Sequence, residues 1–239
     1  MRIQYILLSF FCVFISCNTT SQSELKELGR FILKIDEPSG ITTDGNHLFI
    51  VSDNKGEVYK TNFKGEILGS FDSDVKDLEG ISYNPAKDEF VLISESKRKI
   101  YLFDRKIVKK TDSKIKGKQE SDNSGLEGVT LNTSNKSYYV ANEKKPKQML
   151  HLNDNFEIVS KFKLDFLQDI SGLCYDEALD VFWVVSDESR SIFKVSTQGK
   201  MLSAYPFNLK QMEGITCHKD KLFVVSDVVE VLVVFEKPD

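Results

Sequence analysis

The sequence predicts an all-β protein, a β-propeller of five four-stranded blades. Three observations predict this fold: one sequence unit recurs five times, the copies follow one another every 40 to 50 residues, and the last copy is one strand short. Short strands at that period are typical of propeller blades. A six-bladed ring with one degenerate blade is the alternative that the spacing leaves open.

Each unit begins with Ser or Glu, then Gly and an aliphatic residue, and leads into an apolar second strand. The third strand alternates polar and apolar residues, as in residues 57–60, and a glycine turn such as 64–66 leads into the fourth. The repeated glycines are spaced by 40, 48, 44 and 42 residues and are Gly40, Gly80, Gly128, Gly172 and Gly214. The apolar second strands predict burial on both faces.

The fifth unit ends after residues 230–235 without a fourth strand. Residues 30–35 form an unassigned strand at the other end of the chain, so we expect them to complete the last blade. This pairing would close the ring and remove its open edges. The propeller domain is predicted to span residues 26–239.

The first residues predict export. Arg2 precedes an apolar run at residues 6–15, and Ser16 and Cys17 follow, as in a signal peptide of residues 1–17. The run is too short to span a bilayer. Residues 14–17 resemble a lipobox, although Phe14 departs from it. We therefore expect Cys17 to be lipidated, residues 18–25 to form a polar tether and the protein to be anchored to a cell-envelope membrane; simple secretion is the alternative.

Two further cysteines, Cys174 and Cys217, lie within the predicted propeller. An oxidising compartment would permit a bridge between them. The sequence favours the alternative, in which both are small apolar residues of buried strands.

Composition narrows the classes of partner. The chain of 239 residues has a formal charge of −4, so it lacks the basic surplus that nucleic-acid binding requires. Small ligands, metal cations and envelope proteins remain as partners, and we expect a monomer.

Two positions of the unit stay polar between apolar neighbours. The position before each glycine is occupied by Ser39, Glu79, Glu127, Ser171 and Glu213. The position that ends each second strand is occupied by Asp53, Glu95, Glu143, Asp187 and Asp227. Equivalent positions of a propeller meet around its axis, so these ten residues should form a ring at the channel.

Three interpretations of this ring compete. The acids could pair with basic residues that follow them, namely Lys55, Lys97 or Arg98, Lys144 and Arg190, although the fifth blade lacks such a residue. Alternatively, clustered carboxylates could bind a hard divalent cation of the Ca²⁺ type, for which Glu79, Glu127 and Glu213 are the best candidates. The second-strand acids would then line the channel around a ligand.

Catalysis by a paired acid and base is the third interpretation. The three histidines, His47, His151 and His218, lie away from the acidic positions of the unit, and we expect them at the surface. The sequence thus favours a binding protein over an enzyme and leaves two alternatives: a metal-dependent hydrolase of the lactonase or phosphoesterase type, and a purely structural interaction module.

The units at residues 77–83, 125–129 and 212–216, each followed by an apolar strand, resemble the SdiA-regulated family of bacterial envelope β-propellers. The resemblance covers about residues 26 to 236. It implies a non-enzymatic or uncharacterised envelope protein, with calcium-linked roles for some members, and it assigns no catalytic residues.

Overall fold

A computed structural model describes residues 24–117 and 125–239. Its described residues form twenty strands, beginning with β1 (Glu27–Ile32). Blade one comprises β2 (Pro38–Thr43), β3 (Leu48–Ser52), β4 (Glu57–Thr61) and β5 (Ile67–Asp72). Blade two comprises β6 (Leu78–Asn84), β7 (Glu89–Ser94), β8 (Lys99–Asp104) and β9 (Lys109–Lys114).

Blade three comprises β10 (Leu126–Asn132), β11 (Ser137–Asn142), β12 (Gln148–Leu152) and β13 (Ile158–Lys163). Blade four comprises β14 (Gly172–Asp176), β15 (Val181–Ser186), β16 (Ser191–Ser196) and β17 (Met201–Pro206). Blade five comprises β18 (Met212–His218), β19 (Lys221–Ser226), β20 (Val231–Glu236) and β1. Each blade is an antiparallel sheet. No helix in these ranges is long and apolar enough to cross a membrane.

The innermost strands β2, β6, β10, β14 and β18 contact one another in sequence, and β18 contacts β2. The ring therefore closes with five blades, which confirms the predicted fold and excludes the six-bladed alternative. The polar stretch of residues 106–124 predicts a fourth strand followed by an exposed loop. β9 is that strand, and residues 118–124 lie outside the described residues.

The N-terminal strand completes blade five as predicted, but its bounds were predicted wrongly. β1 pairs antiparallel with β20 over Glu27–Ile32, three residues earlier than the predicted 30–35. Beyond Ile32 the chain turns inward, and Leu33 and Ile35 are each only 1% exposed in the apolar cluster between blades five and one. Leu33 and Ile35 are thus apolar because they pack in this junction, and not because they belong to the strand.

Five apolar clusters fill the five junctions between blades. The second strands supply four or five buried residues to each cluster, and all six residues of β15 are buried. Aromatic rings meet across the junctions: Phe49 and Phe90 lie 4.7 Å apart between ring centroids, as do Tyr139 and Phe182. The predicted burial of the second strands is thus confirmed, aromatic residues included.

The repeated glycines allow the innermost strands to approach closely. A Cβ atom added at Gly172 would lie 2.3 Å from the carbonyl oxygen of Glu213 in the next blade, and one at Gly214 would lie 2.3 Å from that of Ser39. Any side chain would push the blades apart. Along the axis, the glycines and the aliphatic residues that follow them narrow the channel to a gap of about 10 Å³.

Candidate functional site

At the end of the channel where the innermost strands begin, the ring opens into a cavity of about 460 Å³, here called the acidic mouth. All ten residues of the two polar positions line it, as the repeat predicted. The position before each glycine contributes Ser39, Glu79, Glu127, Ser171 and Glu213. The end of each second strand contributes Asp53, Glu95, Glu143, Asp187 and Asp227.

Glu79, Glu127 and Glu213 lie deepest in the acidic mouth, at the start of their innermost strands. Glu127 is only 8% exposed. Burial raises the pKa of Glu127 above its usual range, and the charges of Glu79 and Glu95 raise it further. Glu79, Glu127 and Glu213 therefore form one group of carboxyls whose charges act on one another.

The same causes act on the other two deep carboxyls. Burial, followed by the charges of Asp187 and Asp227, raises the pKa of Glu213 to about 8. Burial, followed by the charge of Asp53, raises the pKa of Glu79. Like charges held together out of water favour either bound protons or a bound cation.

The acids that end the second strands are partly exposed, except Glu95, which is only 8% exposed. Burial and the charge of Asp77 raise the pKa of Asp53 to about 6. Burial raises the pKa of Glu95 to about 7, although its carboxylate accepts a 2.8 Å hydrogen bond from the backbone N–H of Gly125. These side chains form an outer tier above the three deep glutamates.

Carboxylate oxygens come together in two places within the acidic mouth. Asp53, Asp77 and Glu79 form one group, in which one oxygen of each residue lies within 4.8 Å of the others. Glu95, Glu127 and Glu143 form the second group by the same measure. Each group combines a deep glutamate with an outer acid, so each offers a cation three oxygens from two tiers.

One basic side chain, Lys144, is found among the described residues that line the acidic mouth. Its Nζ lies 2.6 Å from Oε1 of Glu143 and 2.9 Å from Oε1 of Glu188. Glu143 thus has the predicted basic partner. By contrast, Lys55 pairs with Asp36 at 3.4 Å, and the ion pairs between described residues include none of Lys97, Arg98 and Arg190. Ion pairing with the following base therefore accounts for one blade only.

Sequence reasoning missed a third acidic position, two residues before the residue that precedes each glycine. Glu37, Asp77 and Asp169 occupy it in blades one, two and four and line the acidic mouth. Asp77 Oδ2 accepts hydrogen bonds from the backbone N–H and hydroxyl of Ser96 at 2.6 and 2.7 Å. The fixed spacing was a usable signal, but the residue type varies among Glu37, Asp77, Gly125, Asp169 and Gln211.

The three histidines lie outside the acidic mouth. His151 stacks on Tyr139 with ring centroids 4.7 Å apart, and His218 stacks on Phe63 at 5.0 Å. His47 lies 3.4 Å from the carboxylate of Asp44. They were predicted to be surface residues, and the structure shows them half-buried against these partners.

The fold and this cavity define a five-bladed β-propeller with an acidic channel mouth. The sequence matches the family model described as SdiA-regulated over residues 29–229. The chain therefore belongs to the SdiA-regulated family, as the repeated motifs indicated. No curated protein matches the sequence.

Solved structures with similar folds share little sequence. Glutaminyl cyclase from Myxococcus xanthus superimposes with a TM-score of 0.69 at 9% identity, covering 91% of this chain and 100% of that one. Virginiamycin B lyase from Staphylococcus aureus gives a TM-score of 0.54 at 13% identity, covering 90% and 100%. A streptogramin B lyase gives 0.51 at 14% identity, covering 90% and 73%. At these identities the likeness is one of fold.

Proposed function

We propose that this protein binds a divalent cation of the Ca²⁺ type in its acidic mouth and presents that cation to a ligand or a partner protein. The observation that carries the proposal is Glu127. Its carboxylate is more than nine-tenths buried, it faces a cluster of like charges, and no hydrogen bond from a described residue acts on its charge. A charged group in such a place requires a proton or a cation.

The chemistry of the donors favours a hard cation. Ca²⁺ takes six to eight oxygen ligands in flexible geometry and accepts carboxylates in one- or two-oxygen modes. The groups Asp53–Asp77–Glu79 and Glu95–Glu127–Glu143 supply carboxylate oxygens, with neither imidazole nor thiolate in either group. Mg²⁺ demands a smaller, near-octahedral set, to which a wide ring of carboxylates is less suited.

The position of the cation explains how a partner would be recognised. Asp53 and Glu143 at the ends of the second strands are partly exposed, so a cation held between the tiers would keep coordination positions open toward the mouth. An oxygen-rich small ligand or a carboxylate of an envelope protein would fill them. The proposal includes the lipidation predicted for Cys17, which would tether the propeller to a membrane of the cell envelope.

The test is metal analysis of the purified protein, followed by calorimetric titration and thermal unfolding in EDTA and in Ca²⁺. Glu127→Gln preserves shape and removes the charge, so we expect at least a tenfold loss of Ca²⁺ affinity. Glu177→Gln is the matched control, because Glu177 is exposed and lines the cavity at the other end of the channel. Unchanged melting and no heat of Ca²⁺ binding in the wild type would refute the proposal.

The same preparation tests the enzymatic alternative. Turnover of a lactone or phosphoester panel that requires Ca²⁺ and is lost in Glu127→Gln would identify a metal-dependent hydrolase. Ca²⁺ binding without turnover is the result we expect for a binding protein. Mass spectrometry of membrane-extracted protein tests the anchor, since a diacylated Cys17 would be the first residue of the mature chain.

A further inference from the structure

Side chains at the fourth position of the repeated unit connect neighbouring blades. Thr42 Oγ1 accepts a hydrogen bond from the backbone N–H of Tyr83 at 3.2 Å. Ser82 Oγ accepts one from Leu131 at 3.0 Å, and Thr130 Oγ1 accepts one from Tyr175 at 2.9 Å. In each case the donor occupies the fifth position of the next unit. Three successive junctions thus use the same contact.

The junction between blades four and five has cysteines at both of these positions. Cys174 stands where the other units have Ser or Thr, and Cys217 is the fifth-position residue of the next unit. The shared register therefore directs the Cys174 side chain toward Cys217. The Cys217 thiol donates a hydrogen bond to the carbonyl oxygen of Tyr175 at 3.5 Å, and it is close enough to Cys174 to raise the pKa of that thiol after burial has done so.

The two thiols differ in access. Both line a cavity of about 510 Å³, here called the opposite mouth, at the end of the channel where the innermost strands finish. Cys174 is 6% exposed and packs in the apolar cluster between blades four and five, whereas Cys217 is half-buried. Burial raises the pKa of the Cys174 thiol. A reagent that enters the opposite mouth therefore meets Cys217 first.

We propose that Cys174 and Cys217 form a reversible disulfide that joins the innermost strands of blades four and five. A small-molecule or protein disulfide is the oxidant. The Cys217 thiolate attacks one of its sulfurs and releases one thiol; the Cys174 thiolate then attacks Cys217 in the mixed disulfide and releases the second. Two protein thiols are oxidised, one external disulfide is reduced to two thiols, and both protons pass to the departing thiolates.

This inference is independent of the cation, because the two cysteines lie at the opposite end of the channel from the acidic mouth. It replaces the interpretation of the cysteines as inert core residues with that of a redox pair. The oxidised form has a covalent bond at this junction, where three other junctions have a hydrogen bond. An oxidising compartment, which the predicted export would provide, favours this form.

The test treats the folded full chain with oxidised glutathione and maps its tryptic peptides without reduction. Cys174 falls in the peptide 164–190 and Cys217 in the peptide 211–219, so their bridge gives one distinct linked species, about 2 Da lighter than the sum. We expect this species to be the main product. We also expect oxidised protein to unfold roughly 5–10 °C above protein kept in reductant.

Cys174→Thr is the matched control, because it introduces the residue that blades one, three and five have at this position. We expect it to fold and to retain glutathione on Cys217, since the resolving thiol is gone. Cys217→Ser should resist modification at Cys174. Wild-type protein in which both thiols remain free, or in which Cys217 keeps its glutathione as Cys174→Thr does, would overturn the proposal.

Discussion

Lys144 neutralises Glu143 inside the acidic mouth, with 2.6 Å between Nζ and Oε1. Glu143 also belongs to the carboxylate group that it forms with Glu95 and Glu127. The lysine therefore occupies, as a built-in cation, part of the place that the proposed metal ion would take. The two compete for the same oxygens.

This competition gives the first prediction. Lys144→Gln removes one positive charge and frees Glu143, so we expect Ca²⁺ affinity to rise about fivefold, the equivalent of ~1 kcal/mol for one ion pair. Calorimetric titration measures it. Lys55→Gln is the control, because Lys55 pairs with Asp36 and does not line the acidic mouth. An unchanged or weaker affinity in Lys144→Gln would argue against a cation at the second group.

The second prediction concerns pH in the absence of metal. The folded-state pKa values of Asp53, Glu95 and Glu213 are raised to about 6, 7 and 8, above their values in the unfolded chain. The folded protein then binds more protons than the unfolded chain between about pH 4 and pH 8, so these groups lower its stability as pH rises through that window. In EDTA we expect the melting temperature to fall from pH 5.5 to pH 8.5. A melting temperature that rises over this pH range would contradict the proposed crowding of the carboxyls.

The third prediction tests the ring closure with neighbouring residues. Leu33 is 1% exposed in the junction between blades five and one, and Ile32 is 81% exposed. Leu33→Ala should lower the free energy of unfolding by about 3 kcal/mol, because it leaves a cavity in that junction. Ile32→Ala should change it by less than ~0.5 kcal/mol. Urea denaturation compares them, and equal losses would contradict the described closure.

The fourth prediction tests the close approach of the innermost strands. Gly172→Ala would place a Cβ 2.3 Å from the carbonyl oxygen of Glu213, and we expect a loss of about 2–3 kcal/mol in the free energy of unfolding. Gly69→Ala is the control, since nothing lies within 4 Å of its Cβ position in β5. That variant should be neutral or stabilised by ~0.5 kcal/mol. A tolerated Gly172→Ala would show that the blades can separate at little cost.

The sequence predicted five blades and the two acidic positions because both follow from a period, and the structure excluded the six-bladed alternative. Residues one period apart, such as Glu79 and Glu127, must occupy equivalent places in a closed ring. The period does not fix features that differ between blades. Glu37, Asp77 and Asp169 were not recognised as a set because Gly125 and Gln211 stand at the same position. The partner of each base depended on side-chain directions, which a period does not determine.

Two other features depended on contacts between distant segments. The predicted bounds of β1 lay three residues too late, because Leu33 and Ile35 are as apolar as strand residues. In the structure they pack in the junction between blades. The cysteines belong to different units and to different positions of the unit, so periodicity alone does not pair them. Their proximity emerges only when the fourth position of one innermost strand is set against the fifth position of the next.

The pairing of β1 with β20 in blade five, here called the seam, also determines how the molecule would respond to force. The chain before residue 27 leads directly into β1, the outermost strand of that blade, which is held by its ladder to β20 and by the ion pair of Lys26 with Glu236. Tension applied through the N-terminal segment would load this seam before any other blade. We therefore expect the ring to open at blade five, where β1 would separate from β20 while the other four blades keep all their strands.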